Sequence, residues 1–156
     1  MSVICWDGKS LSVDSRVTDD TGRMATRTKG FVLQDGSLFA GIGTILLVER
    51  MRGAVQGLRQ SVDLTGMNQE DIDSTLCVWI KPEAFYLYYP FGDLYSIGKP
   101  EDVQEAFGTG AKYAVGAMLM GADSYRAVEI AIECCATCGP PIKTFVLGQG
   151  DPIEIA

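Results

Sequence analysis

The sequence contains no histidine. That absence excludes Ser-His-Asp and Cys-His catalysis, histidine-ligated zinc and imidazole acid-base chemistry from within the chain. A catalytic base must then come from a carboxylate, a lysine, a tyrosine, a thiolate or a terminal amine. Basic residues are scarce as well: 13 Lys and Arg stand against 20 Asp and Glu, for a formal net charge of -7. They do not gather into a basic stretch, so nucleic acid held by phosphate contacts is not an expected partner. Long apolar runs are also missing. Stretches such as residues 42–48 fall well short of the roughly 20 residues a membrane helix needs. The first residues, Met-Ser-Val-Ile-Cys-Trp-Asp, lack the basic and apolar regions of an export signal. The expectation is a cytoplasmic protein with no membrane partner.

What is present fits one globular domain over residues 1–156, with 47% apolar residues. A chain of this size buries very roughly two thirds of its unfolded surface, enough for a core without disulfides or metals. Five cysteines, at 5, 77, 134, 135 and 138, are an odd number with no export signal, which argues against a disulfide framework. Cys135-Ala-Thr-Cys138 matches C-x-x-C, but zinc would need two further ligands. The cysteines are expected to pack as small hydrophobes, and no cofactor is expected.

Residues 2–6 and 10–14 alternate around Asp7-Gly8, a hairpin signal. A polar loop is expected over residues 17–22. Residues 30–33 and 37–40 then flank a second turn at Asp35-Gly36, giving another antiparallel pair. From Thr44 the period changes: Ile45, Leu46, Val48, Met51, Ala54, Val55 and Leu58 recur at helical steps, predicting an amphipathic helix over residues 44–59. Gly53 and Gly57 within it are expected to admit a close neighbour. A short helical turn near Asn68 precedes three strands at 75–80, 84–89 and 94–97, whose tyrosines are read as cross-strand packing. Two helices follow, the first past Gly108-Thr109-Gly110 and ending at Gly121, the second capped by Asp123 or Ser124. Cys138-Gly-Pro-Pro breaks the second, and residues 142–147 form a final strand. Helices inserted between antiparallel strand groups predict two sheets with helices outside.

Four local motifs read in this order carry a resemblance. They are a hydroxyl residue opening the first strand, Ser2-Val-Ile; Ser12-Val-Asp14-Ser-Arg-Val-Thr18, followed about fifteen residues on by Lys29; Phe39-Ala-Gly41-Ile-Gly; and Phe107-Gly-Thr109-Gly-Ala-Lys-Tyr-Ala. Over nearly its whole length the chain resembles the proteasome beta-subunit family, and within it the HslV-type peptidases and their phage relatives. The resemblance implies an α+β fold, a four-layer αββα sandwich of the N-terminal-nucleophile hydrolases. It also implies amide hydrolysis without imidazole. With Met1 removed, the Ser2 amine would titrate at roughly 8 and act as base to its own hydroxyl.

By the same resemblance Ser2 takes the nucleophile position, where most members carry threonine. Lys29 lies beside it, and Asp14 pairs with Lys29. The Gly41 amide donates to the oxyanion, its missing side chain allowing close approach to substrate. Thr109 stands where a serine usually contacts the terminal amine, whereas Cys138-Gly-Pro-Pro does not reproduce the family's acidic and hydroxyl residues near that amine. Self-assembly, in a ring, is implied, with a peptide or protein substrate and, in some members, a separate ATPase unfoldase. The helix at 44–59 is offered as a contact surface.

Ordinary roles remain open to each residue. Asp14 and Lys29 could form a surface ion pair, Gly41 could relieve crowding before the helix, and Thr109 or a neighbour could cap a helix. Two other readings stand beside the peptidase: a catalytically inactive assembly or binding protein of the same fold, and a small-molecule amidase.

Overall fold

A computed structural model describes residues 2–19, 21–57 and 62–148, with the backbone of 153–155. The first half holds strands β1 (Ile4–Trp6), β2 (Ser10–Val13), β3 (Arg16–Thr18), β4 (Met24–Thr26), β5 (Gly30–Val32) and β6 (Leu38–Ile42), then helix α1 (Ile45–Gln56). A short helix α2 (Gln69–Ser74) leads into strands β7 (Leu76–Lys81), β8 (Ala84–Tyr88) and β9 (Leu94–Ser96). After a 3-10 turn at Pro100–Asp102 come β10 (Glu105–Phe107), α3 (Ala111–Leu119), α4 (Ser124–Cys134), β11 (Ile142–Val146) and β12 (Ile153–Ile155).

Two five-stranded antiparallel sheets result, in the orders β10-β1-β2-β11-β12 and β5-β6-β7-β8-β9, with β3 and β4 forming a separate small hairpin. Period-two alternation sorts their side chains. Ile4, Trp6, Leu11 and Val13 of the first sheet meet Leu38, Ala40, Val78, Ile80 and Phe85 of the second in one buried cluster. The opposite face of the first sheet, with Val3, Cys5 and Ile142, packs on Ala114 and Met118 of α3 and Ala127, Val128 and Ala131 of α4. The opposite face of the second, with Phe39, Cys77 and Tyr88, packs on Leu47, Val48, Met51 and Val55 of α1.

Polar groups on these faces are paired. Ser12, on the helix side of β2, bonds the Ser124 and Thr144 hydroxyls at 2.7 and 2.8 Å. Asp7 accepts from the Lys9 and Ser10 amides and, through its other oxygen, from the Ser124 amide at 2.8 Å. One carboxylate thus fixes both the first hairpin and the start of α4, and those backbone donors hold it below the usual carboxylate range against the opposing effect of its burial.

The expected pairs β1–β2 and β5–β6, the strands β7, β8 and β9, all four helices and the strand over 142–146 are present. Trp79 and Tyr86, directly opposite across β7 and β8, pack with ring centroids 5.7 Å apart and planes tilted by 35°, so this aromatic stripe is cross-strand packing. Asp123 caps α4 by accepting from the Arg126 amide. Three expectations need correction. Residues 17–22 are not all loop, because β3 and β4 pair from Arg16↔Thr26 to Thr18↔Met24. Gly53 has no close neighbour among the described residues, where a Cβ would meet nothing within 4 Å. The apolar face of α1 is not a free contact surface: it covers its own sheet, and Leu46 is the large apolar side chain of this helix left half-exposed. Leu58 and Arg59 of the predicted helix lie outside the described residues. Among the described residues, no helix is long and apolar enough to cross a membrane.

Candidate active site

The site is built around the start of β1, an interior strand of its sheet. Asp14, at the end of β2, is fully buried, and its carboxylate gathers four donors. Oδ1 accepts from the Val3 amide at 3.1 Å and from Lys29 Nζ at 2.7 Å; Oδ2 accepts from the Gly139 amide at 3.0 Å and the Arg16 amide at 3.3 Å. Lys29, just ahead of β5, is itself only 8% exposed and also donates to the Arg16 carbonyl at 2.6 Å. A buried carboxylate is tolerated only when its lone pairs are satisfied, and here they are. Asp14 and Lys29 are therefore no surface ion pair. They fix a positive charge at one position relative to the first strand.

Ser2 sits against the Gly108-Thr109-Gly110 loop between β10 and α3. The Ser2 backbone nitrogen donates to Thr109 Oγ1 at 3.2 Å, and the Ser2 carbonyl accepts from the Gly110 amide at 3.3 Å. Gly108 has φ 101°, and a Cβ there would overlap the Ser2 carbonyl. Only glycine permits both that backbone and that approach. Thr109 does not cap α3: the N-cap position is Gly110, with no side-chain cap. Its hydroxyl instead faces Ser2 and, at 3.1 Å, the hydroxyl of Thr137.

Gly41 requires a different reading from the one its motif invites. A Cβ on Gly41 would collide with Val48 of α1 and lie 2.9 Å from Cys77 Sγ, so helix packing, not approach of a substrate, demands glycine here. Its amide donates to the Lys29 carbonyl at 3.3 Å, adding a rung beyond the β5–β6 pair. Crowding before the helix is thus the physical reason for the residue.

A cleft of about 690 Å³ brings Ser2, Lys29, Gly41 and Thr109 onto one lining, with Asp14 behind it. Phe31, Ile45 and Val48 give it an apolar wall. Arg27 and Glu49, paired at 3.6 Å and each about half exposed, stand on the same lining. A second cavity, of about 830 Å³ with Phe91 and Tyr95 in its lining, contains none of the five residues.

Two contributors, Thr137 and Gly139, have no signature of their own in the sequence, and the part played by a third, Gly108, is not legible in the motif that contains it. Thr137 reaches Thr109 only through the turn after α4. Gly139 donates to Asp14 and leaves room for the Arg16 guanidinium, which a Cβ would displace. Gly108 serves Ser2 by backbone contact alone. The Thr137 hydroxyl also supplies, one residue before Cys138-Gly-Pro-Pro, a polar group that the segment itself lacks.

No protein-family model matches the chain, and no curated protein matches it in sequence. Solved structures do resemble it. BPH of Thiobacillus denitrificans in complex with epoxomicin is 15% identical, with 100% of each chain covered and a TM-score of 0.66. HslV of Trypanosoma brucei is 15% identical over 95% of this chain and 99% of its own, with a TM-score of 0.63. Anbu of Pseudomonas aeruginosa, solved as a helical assembly, is 15% identical over 99% of this chain and 86% of its own, with a TM-score of 0.66. At such identities the likeness establishes the fold, which is the proteasome-like one of these proteins.

Proposed function

We propose that this chain, as a single domain of four-layer αββα architecture, is an N-terminal-nucleophile amide hydrolase of proteasome-like type, with Ser2 attacking peptide bonds after Met1 is removed. The observation that carries the reading is the convergence of Ser2, Lys29 and Thr109 on one cleft, with Lys29 pinned from behind by Asp14 at 2.7 Å. Without Met1, the Ser2 nitrogen held by Thr109 becomes a free amine, a base close enough to take the proton of its own hydroxyl. The Lys29 charge stabilises the developing alkoxide and favours the neutral amine. The hydroxyl oxygen adds to the substrate carbonyl. The Gly41 amide exchanges its long bond to the Lys29 carbonyl for a shorter, charge-assisted one to the oxyanion. The Ser2 ammonium returns its proton to the leaving amine, and water then releases the acyl group from Ser2.

The wall of Phe31, Ile45 and Val48 favours substrates with an apolar side chain at the cleavage point. The chain works in the cytoplasm as a homo-oligomer, in a ring, on peptides or proteins, and a separate ATPase would unfold larger substrates, since the sequence has no phosphate-binding loop of its own. The alternative, an inactive assembly protein of the same fold, has one observation in its favour: the Gly41 amide is already engaged by the Lys29 carbonyl.

The test is hydrolysis of a fluorogenic peptide with an apolar residue before the scissile bond, by the wild type and by Ser2→Ala. The expected result is a loss of about a thousandfold or more in kcat with an unchanged thermal transition. Full activity in Ser2→Ala would overturn the mechanism. No hydrolysis by a wild type shown to lack Met1 would favour the inactive reading.

A further inference from the structure

The cysteine pair that follows α4 is arranged unlike the other cysteines. Cys5 and Cys77 are fully buried in apolar clusters, and burial pushes both thiols up, Cys5 to about 12. Those two are inert packing groups. Cys135 and Cys138 instead close a four-residue turn in which the Cys138 amide donates to the Cys135 carbonyl at 3.1 Å. Such a turn keeps its end Cα atoms within about 7 Å, the span that a disulfide bridges.

The two thiols differ in the way a reactive pair requires. Cys135 is half-buried, and Cys138 is wholly buried. Hydrogen bonding from Thr137, at 3.2 Å, is the largest influence on Cys135 and holds it near 7 despite partial desolvation; Cys138 also bonds to it. Burial, with the nearby Asp14 charge, lifts Cys138 to about 11. The outer sulfur is the nucleophile and the inner one the resolving thiol. Thr109 touches both sulfurs, Cys135 Sγ at 3.9 Å, and through the same hydroxyl holds the Ser2 nitrogen.

We propose that Cys135 and Cys138 are a redox-active dithiol, oxidised by low-molecular-weight disulfides, whose state is communicated to Ser2 through the Thr109 hydroxyl. In the first step the Cys135 thiolate attacks one sulfur of the small disulfide and expels one thiol. Cys138 then loses its proton and attacks Cys135 Sγ, expelling the second thiol. The two cysteines give up two electrons, the small disulfide accepts them, and both protons leave on the released thiols. Closing the bridge removes the Cys135 and Cys138 thiols as partners of Thr109 and Thr137, loosening the hydroxyl network at the Ser2 nitrogen. The dithiol stands on its own; its effect on turnover rests on the hydrolase reading above.

The experiment incubates the reduced full chain with glutathione disulfide, alkylates the remaining thiols and maps the products by fragment mass spectrometry. The expected result is a Cys135–Cys138 bridge, with Cys134 still alkylated. Cys138→Ser should instead accumulate a glutathione adduct on Cys135, and Cys135→Ser should take up none at Cys138. A bridge involving Cys134, an equal adduct at Cys138 in Cys135→Ser, or no bridge at all would overturn the dithiol. For the coupling, oxidation should slow peptide hydrolysis at least several-fold, reversibly with dithiothreitol and not in Cys135→Ser. An unchanged rate in fully bridged protein would overturn the coupling alone. Because mass reports the bridge whether or not the chain hydrolyses peptides, failure of the dithiol and failure of the hydrolase reading are distinguishable.

Discussion

Two glycine motifs flank the cleft, Phe39-Ala-Gly41-Ile-Gly43 on β6 and Phe107-Gly108-Thr109-Gly110 before α3, and they put the same residue type to different physical use. At Gly108 the constraint is backbone against backbone: φ is 101° and the obstacle is the Ser2 carbonyl. At Gly41 the constraint is a side chain, because the obstacles are Val48 and Cys77 beneath α1. The Gly108 motif positions the residue proposed to react. The Gly41 motif sets how closely a helix lies on a sheet, and its amide is engaged in strand pairing. A shared motif therefore licenses a shared position, and the reason for each residue has to be read from what surrounds it.

The comparison breaks most sharply at Gly108→Ala. A left-handed backbone costs an alanine about 1–3 kcal/mol, and overlap with a carbonyl that no rotamer can move adds about as much. Urea denaturation should report a loss on the order of 4 kcal/mol, and trimming any side chain nearby should not restore it. Gly41→Ala should cost less, about 1–3 kcal/mol, and the double variant with Val48→Ala should recover part of that loss. The double-variant cycle is the informative measurement: full additivity would mean that Val48 is not what excludes a side chain at 41. Smallest in stability is Thr109→Val, which removes one hydroxyl at nearly constant volume and should cost about 1 kcal/mol. Its peptidase rate should fall by a larger factor than that loss explains, while Thr109→Ser should retain both. Equal rates for the valine and serine variants would remove Thr109 from the Ser2 network.

The parts of the fold visible in the sequence are those with enough residues to show a period or a distinctive turn. Asp7-Gly8 and Asp35-Gly36 announce hairpins because few residue types tolerate such turns, and α1 shows helical repeats in Val48, Met51, Ala54 and Val55, although the pattern includes Leu46, which the fold leaves half-exposed, and passes over Leu47, which it buries. The strands β3, β4, β10 and β12 show neither a sustained alternation nor an Asp-Gly turn, unlike the equally short β1 and β5, and β10 pairs with a strand distant in the chain, β1. The candidate site was visible only through residues lying within motifs. Ser2, Asp14, Lys29 and Thr109 converge, yet the Ser2–Thr109 bond spans 107 positions, and spacing alone could not have predicted it. Thr137 and Gly139 were hidden because their contribution is a hydroxyl and an amide presented by a turn whose course depends on the packing of α4. The direction of the absent Cβ of Gly41, toward Val48 and Cys77, is likewise a tertiary fact that the motif does not carry.

The central claim, that a working nucleophile stands at the start of the first strand, is tested most directly by intact mass of the purified protein before and after exposure to epoxomicin, the peptide epoxyketone bound in the similar BPH structure. An epoxyketone of this kind needs a hydroxyl and a free amine on one residue. The account predicts a starting mass lacking one methionine and a single adduct that maps to Ser2 and is absent in Ser2→Ala. A protein that lacks Met1, holds its fold and takes up no adduct would contradict it.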